Sequence, residues 1–184
     1  MNVKPEGMIA GEDGNDVNRL PGEPPTGMPI PQVETCGSVR DMLYLAVHDD
    51  AFSQQTGLRL VEMLTHHAAN KQVIVLRRGD YPVAFGIWAR LSEDALRRLI
   101  NKGYSALTPA DLDSGDKVVL VGICSPWRRA DFDVIFTASA NTLDDGTGQG
   151  GWYLVLPAVK TMRKRLTRFR RTSANGGLLE EIKL

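Results

Sequence analysis

Apolar residues recur at helical spacing in three segments of the chain. In 38–48, in Thr56–Ala69 and in 92–103 they fall three or four residues apart, which is the repeat of one helix face. Ser38 and Ser92 precede two of these runs and have the side chain that caps a helix N-terminus. Each segment is therefore predicted to form an amphipathic helix.

Short apolar runs predict strands between and after these helices. The runs 73–76 and 82–89 flank a Gly-Asp turn signal and predict a hairpin, and the nearly all-apolar 118–123 predicts a central strand covered on both faces. A further strand is predicted at 152–156. From Pro157 onward the apolar spacing again predicts a helix. Together the elements predict a mixed α/β protein with helices flanking a sheet.

The first 35 residues differ from the rest of the chain. They contain six prolines and five glycines, with few large apolar side chains. Such a segment cannot bury enough surface to offset the entropy of ordering it. We expect a disordered leader over 1–35, with a docking arm as the alternative, and one folded domain over 36–184.

Composition limits the classes of function. Lys plus Arg (22) equals Asp plus Glu (22), which argues against a protein that coats nucleic acid. No apolar stretch is long enough to span a membrane, and the N-terminus has no secretory signal pattern. Only two cysteines are present, which suits a reducing compartment. A cytoplasmic location is expected.

The histidines are the first candidates for chemistry. His48 stands at a predicted helix end before two aspartates, and from this alone it is either a surface capping residue or a functional base. His66 and His67 are adjacent on a helix and point about 100° apart, so they cannot chelate one metal ion and are expected to be structural. No metal-ligand spacing occurs, and no metal is expected.

Two other features of the sequence leave alternatives open. The glycine-rich 146–151 has the composition of a phosphate cradle, but without a strand and helix around it a flexible loop is the simpler interpretation. Basic residues crowd the helix predicted after Pro157, where like charges repel. That helix face is either merely solvated or binds an acidic protein or a phosphorylated ligand.

Three motifs carry a resemblance to a known family. They are 81–92 (Tyr-Pro-Val-Ala-Phe-Gly-Ile-Trp-Ala-Arg-Leu-Ser), 113–117 (Asp-Ser-Gly-Asp-Lys) and the strand that ends in 124–127 (Cys-Ser-Pro-Trp). In sequence and spacing they resemble the RTX toxin-activating lysine acyltransferases. The resemblance implies a GNAT-like mixed sheet flanked by helices, a cytoplasmic enzyme and a homodimer.

The resemblance also implies a reaction. A fatty acyl group moves from acyl carrier protein to an internal lysine of an RTX protoxin, which activates the toxin for hemolysis. The phosphate-binding loop of ordinary GNAT enzymes is missing here, which agrees with a donor carried on acyl carrier protein and with no bound cofactor. The basic helix would then dock the acidic carrier protein through its cationic side chains. These docking residues are Arg163, Lys164, Arg165 and Arg168.

By the same resemblance, His48 is the catalytic base, since Cys36-Gly37-Ser38-Val39…His48 matches the family's histidine segment. Residues near the site, as acyl-channel walls or structural neighbours, would be Trp88, Ser92, Ser114, Gly115 and Gly122. Gly115 is expected to serve its turn by adopting a positive φ.

One departure from the family pattern concerns its second catalytic residue. The family has an aspartate where this chain has Gly122, which offers no carboxylate. Asp116, Asp131 or Asp133 is a candidate substitute acid. The alternative is a catalytically impaired relative that binds carrier protein or toxin without transfer. A third possibility, a coenzyme A-dependent enzyme for a small amine, is disfavoured by the missing phosphate loop.

Overall fold

The computed structural model describes residues 29–35 and 37–143, the single residues Glu23 and Gly27, and the backbone of three strands between 152 and 182. The helices are α1 (Val39–Ala46), α2 (Asp50–Ser53), α3 (Gly57–Ala69), α4 (Glu93–Lys102) and α5 (Arg129–Leu143). The strands are β1 (Gln32–Glu34), β2 (Val73–Arg78), β3 (Tyr81–Leu91), β4 (Lys117–Cys124), β5 (Trp152–Pro157), β6 (Lys164–Thr172) and β7 (Gly176–Ile182).

The strands form one sheet in chain order, β1 to β7. Neighbouring strands are antiparallel except for β4 and β5, which are parallel. The predicted mixed sheet flanked by helices is therefore confirmed. The hairpin is confirmed as well: β2 and β3 are joined by Gly79 and Asp80, and Gly79 takes the positive φ of 58° that the tight turn requires.

Helices cover both faces of the sheet. On β2, Val73 and Val75 point to the side covered by α1 and α3, and Ile74 and Leu76 point to the side covered by α5. We call these the α1–α3 face and the α5 face. Residues on one face are separated from residues on the opposite face by the thickness of the sheet.

The helix ends follow the expected capping chemistry. The Ser38 and Ser92 hydroxyls accept hydrogen bonds from backbone N–H groups one turn into α1 and α4. Gly103 ends α4 with a φ of 85°. At the end of α3 the positive φ falls on Lys71, at 55°, and the Gln72 N–H bonds back to the His67 carbonyl.

The prediction of a helix after Pro157 is wrong. Pro157 ends β5, and the basic residues Lys164, Arg165 and Arg168 lie on β6, while 158–163, including Arg163, is outside the described residues. Apolar residues three apart suggested a helix, but like charges at helical spacing destabilise one. In the sheet, β6 instead pairs with β7, and its register sets Arg168 opposite Glu180.

Two boundaries also differ from expectation. Gln32–Glu34 is an edge strand on β2, so ordered structure begins inside the predicted leader. Helix α5 was not predicted at all. It ends at Leu143, before the glycine-rich 146–151, which lies outside the described residues. Among the helices that the structure describes, none has the length and apolar character needed to cross a bilayer.

Candidate functional site

The second half of β4 has an open edge. Ile87 pairs with Gly122 and Trp88 with Leu120, so Val121 is the extra residue of a β-bulge. On the other side β5 pairs with β4 only at Val119 and Leu120. Within the described part of the chain, 121–124 is therefore paired on the β3 side alone. No described strand pairs with the backbone groups of this segment that are directed away from β3, so in that part of the structure they can bind a ligand.

His48 lies beside the end of this open strand. It follows α1 in a turn, its side chain is exposed, and its ring centroid is 5.8 Å from that of Trp127, just after β4. Tyr44, one helical turn earlier, makes an edge contact with the His48 ring at 5.5 Å and lies 6.0 Å from Trp127. The imidazole is thus held by two aromatic rings without being buried.

Phe52 fills the space over Gly122. Its ring is buried and packs edge-on against Phe85 at 5.2 Å. A Cβ built on Gly122 would lie 2.9 Å from Phe52 Cζ, closer than real Cβ contacts allow. Any side chain at position 122, including an aspartate, therefore requires Phe52 to move. The glycine and the phenylalanine are matched to each other.

Asp49 directs its carboxylate inward from the corner between α1 and α2. Its Oδ1 accepts a hydrogen bond of 3.3 Å from the Phe52 N–H and so caps α2, the helix that carries Phe52. It also accepts from the buried Cys124 thiol. Burial, and then this carboxylate, raise the pKa of Cys124 well above its ordinary value. The thiol stays protonated and is not a nucleophile.

The structure does not bring the predicted substitute acids beside His48. Asp131 is 1% exposed on the α5 face, and its carboxylate is 2.7 Å from the Arg78 guanidinium. Asp133 is exposed on the same helix and lies 3.5 Å from Arg129. Asp116 is exposed beside Lys117 in the turn before β4, at the end of that strand away from His48. Asp49 is the acid next to the open strand.

Ser92, Ser114 and Gly115 join the start of α4 to the turn before β4. The Ser92 N–H donates to Ser114 Oγ at 3.0 Å, and the Gly115 N–H donates to the Arg90 carbonyl. Gly115 does not have the positive φ that we expected. It is required by close approach, because a Cβ there would lie 2.6 Å from the Ser92 backbone. These residues brace the fold at a distance from His48.

Trp88 lies on the α5 face, packed against the buried cluster of Leu120, Ala140 and Leu143. It lines a cavity of about 540 Å³ with Arg90, Asp113 and the end of α5. This cavity is across the sheet from His48. Trp88 is therefore not in contact with the ring cluster around the histidine.

His67 is a structural residue of α3, as we expected. Its side chain is fully buried and its Nε2 lies 2.8 Å from the Tyr104 hydroxyl. Burial, and then the neighbouring His66, lower the pKa of His67 to about 3. The ring is neutral at physiological pH. Its hydrogen bond ties α3 to the 3₁₀ turn after α4.

Sequence reasoning missed the aromatic residues that surround His48. Tyr44 stands four residues before His48, a spacing that places both on one helix face. Trp127 was part of a recognised motif but received no role. Phe52 gave no sequence signal, because the short α2 has no periodic pattern.

The described residues form a mixed α/β fold with an exposed histidine beside an open strand edge. The comparison with family models is more specific. Residues 34–142 match the RTX toxin acyltransferase (HlyC) family, and the chain belongs to this family of toxin-activating acyltransferases. The match covers α1 to α4 and all but the last residue of α5, and so includes His48, Gly122 and Trp127. Among curated proteins, none matches the sequence significantly.

Proposed function

We propose that this protein transfers a fatty acyl group from acyl carrier protein to a lysine side chain of an RTX protoxin in the cytoplasm, with His48 as the base. One observation carries the proposal: the exposed His48 ring is held by Trp127 at the end of the strand whose edge is open. An acyl thioester along that edge would place its carbonyl within reach of both the histidine and an incoming amine.

The chemistry needs a neutral amine and a stabilised oxyanion. A lysine has an ordinary pKa of ~10.4, so its ammonium must lose a proton before its nitrogen attacks the thioester carbon. The ammonium releases that proton to solvent. His48 Nδ1 or Nε2 then takes a second proton from the nitrogen as the C–N bond forms, and this second proton passes to the carrier thiolate as the C–S bond breaks. Free N–H groups on the open side of β4 supply donors for the carbonyl oxygen.

Two features of the sheet support a GNAT-like arrangement for the donor. The parallel pairing of β4 with β5 is short, and the β-bulge at Val121 lies where the pairing stops. A carrier arm inserted at this point would be bounded by β4 and β5. The basic residues on β6, next to β5, are the proposed docking contacts for the acidic carrier protein. In the proposed enzyme Arg168→Glu raises KM for the carrier-bound donor and leaves that for the acceptor unchanged.

The test uses purified full-length protein, acyl-loaded carrier protein and a cognate RTX polypeptide, with lysine mass measured by mass spectrometry. We expect transfer by the natural chain and a drop of roughly 10²–10⁴ in rate for His48→Ala. His66→Ala, which removes a histidine from α3, is the matched control and leaves the rate unchanged. Transfer that survives in His48→Ala contradicts the role of this residue, and transfer from acetyl-coenzyme A alone contradicts the carrier-bound donor.

A second candidate function is favoured by Gly122. A relative that lacks the second catalytic carboxylate would bind carrier protein or toxin without acylating it. Phe52 occupies the space that a side chain at 122 would need, which is the observation in its favour. Binding of both partners with no mass increase on any lysine would support this candidate.

A further inference from the structure

A groove leads away from the His48 ring cluster. A cavity of about 410 Å³ lies between the exposed side of α1 and the β2–β3 turn, with Arg40 and Tyr44 on one wall and Asp80 and Tyr81 on the other. Tyr44 belongs both to this wall and to the rings that hold His48. The groove and the candidate catalytic residue are therefore continuous.

The wall formed by Arg40 and Tyr44 continues in a straight line to His48, which lies beyond the lining of the cavity itself. Arg40, Tyr44 and His48 are spaced four residues apart, so they lie above one another along a single face of α1 and the turn that follows it. At a rise of about 1.5 Å per residue, the line is about 12 Å long. An extended polypeptide advances about 3.3 Å per residue, so about four residues would span it.

The base of the groove is fixed and electrically compensated. The Arg77 guanidinium bonds to Glu34 at 3.0 Å, to Asp41, and to the Asp80 carbonyl at 3.0 Å. Within the described residues neither Arg40 nor the Asp80 carboxylate forms an ion pair. Among the described residues that line the groove, one cation and one anion therefore have no ion-pair partner, and they face a groove with two tyrosine walls.

These features select one kind of occupant. A strongly acidic carrier protein would require a cationic surface, and this groove has no net excess of positive charge. Exposed tyrosines, 37% for Tyr44 and 45% for Tyr81, give large contact area at low entropic cost and accept varied side chains. A short extended polypeptide segment of mixed charge fits both the length and the chemistry.

We propose that this groove binds the acceptor polypeptide, with the target lysine at His48 and the residues within about four positions of it along Tyr44 and Tyr81. The assignment rests on the proposed acyl transfer to a protein lysine. It adds the location of the acceptor, which enters from the β2–β3 turn. The donor lies on the other side of His48, along the open edge of β4.

The first test separates acceptor binding from donor binding and from chemistry. In Tyr81→Ala we expect KM for the acceptor to rise about five- to tenfold, with kcat and KM for the acyl donor within twofold of the natural chain. Tyr81→Phe keeps the ring and keeps the acceptor KM within twofold. Val134→Ala removes a residue of similar exposure from the α5 face and changes nothing, which makes it the matched control.

The second test does not depend on catalysis. A photoreactive residue is placed in the groove as Tyr81→p-benzoylphenylalanine and on the α5 face as Val134→p-benzoylphenylalanine, and each protein is irradiated with the acceptor. We expect crosslinks from position 81 alone, to acceptor residues within about five positions of a modified lysine. An unchanged acceptor KM in Tyr81→Ala, a raised donor KM instead, or crosslinks from both positions would overturn the assignment. Crosslinking at 81 without any acyl transfer would support the groove and contradict the proposed function.

Discussion

The two faces of the sheet are packed by different kinds of side chain. On the α1–α3 face, Phe52, Phe85 and Met42 build a core of large groups. On the α5 face, small residues such as Ala84 and Ser139 let the helix lie close to the strands, and the buried Asp131 is compensated by an arginine. The buried ion pair and the cavity beside Trp88 both lie on the α5 face, across the sheet from His48. The other face carries an exposed histidine at its rim.

A glycine makes each of these packings possible. A Cβ on Gly86 would lie 2.5 Å from Ser139 Oγ on the α5 face, and one on Gly122 would lie 2.9 Å from Phe52 Cζ on the opposite face. The physical role is the same, since both glycines admit a neighbour from a helix. The consequence differs. Gly86 brings a helix backbone close, and Gly122 brings an aromatic ring over the open part of β4.

Among the variants that test the difference between the two faces, the largest change in stability is expected at the buried ion pair. Asp131→Asn leaves the Arg78 guanidinium without its anionic partner, and Asp131 is 1% exposed. We expect the free energy of unfolding to fall by about 3 kcal/mol, measured by urea denaturation. Activity per folded molecule stays unchanged because the pair lies across the sheet from His48. Asp133→Asn, on the same helix but exposed, is the control and costs less than about 0.5 kcal/mol.

A loss of activity in folded Asp131→Asn would show that the two faces are not separate in function.

The next effect concerns Gly122 and Phe52. Gly122→Asp forces a side chain against the Phe52 ring and places a carboxylate in an apolar site, so we expect a loss of about 2–3 kcal/mol in unfolding free energy. Phe52→Ala alone leaves a cavity and costs about 3 kcal/mol. In the double variant we expect the loss of unfolding free energy to be smaller than the sum of the losses in the two single variants. The reason is that the carboxylate then occupies the space the ring has left.

Additive losses in that cycle would mean that the two positions are independent. A gain in acyl transfer by the double variant over Phe52→Ala would identify position 122 as a place where a carboxylate still serves the reaction.

The interior of the α1–α3 face should also respond to pH through His67. Burial lowers its pKa to about 3, against an ordinary value of 6.5. Between these two values the unfolded chain binds a proton that the folded chain does not, so stability falls as pH falls from 6.5 toward 3. The slope from this group reaches about 1.4 kcal/mol per pH unit.

His67→Gln removes the titrating ring. Between pH 6.5 and 3 we expect the unfolding free energy of this variant to fall less steeply than that of the natural chain. The difference in slope should reach about 1.4 kcal/mol per pH unit, measured by denaturation at a series of pH values and one temperature. Parallel curves for the two proteins would show that His67 is protonated in the fold.

The sequence predicted the elements whose buried side is apolar. Helices α1, α3 and α4 have regular apolar stripes, and the hairpin and β4 have β-branched runs. Helix α5 was missed because its buried residues include Asp131 and Ser139, so its inward face does not look apolar. The basic β6 was taken for a helix because its partner β7 lies later in the chain, and local spacing does not contain that pairing.

The candidate site was predicted only in part, for a related reason. His48 was singled out from its motif, and its position beside β4 agrees with that choice without testing its role. Phe52 and Asp49 belong to the site only through their contacts with Gly122 and Cys124, which are about seventy residues away along the chain. Such contacts exist only after the sheet has formed. A pattern within one segment cannot reveal them.

The smallest effect concerns the C-terminal ends of α3 and α4, where the residue with a positive φ is a lysine in one and a glycine in the other. Helix α4 ends in Gly103 at a φ of 85°, whereas α3 places Lys71 in the left-handed region at 55°. An L-residue there is strained by about 1 kcal/mol, and glycine is not. Lys71→Gly should therefore stabilise the protein by up to about 1 kcal/mol. Gly103→Ala should destabilise it by at least as much, because Gly103 combines its φ of 85° with a ψ of 179°, a region that almost only glycine occupies. Both effects are measured as shifts in the urea midpoint. Because the Lys71 side chain is exposed, no packing is lost with it. A destabilised Lys71→Gly would mean that the lysine side chain contributes more than its backbone strain costs.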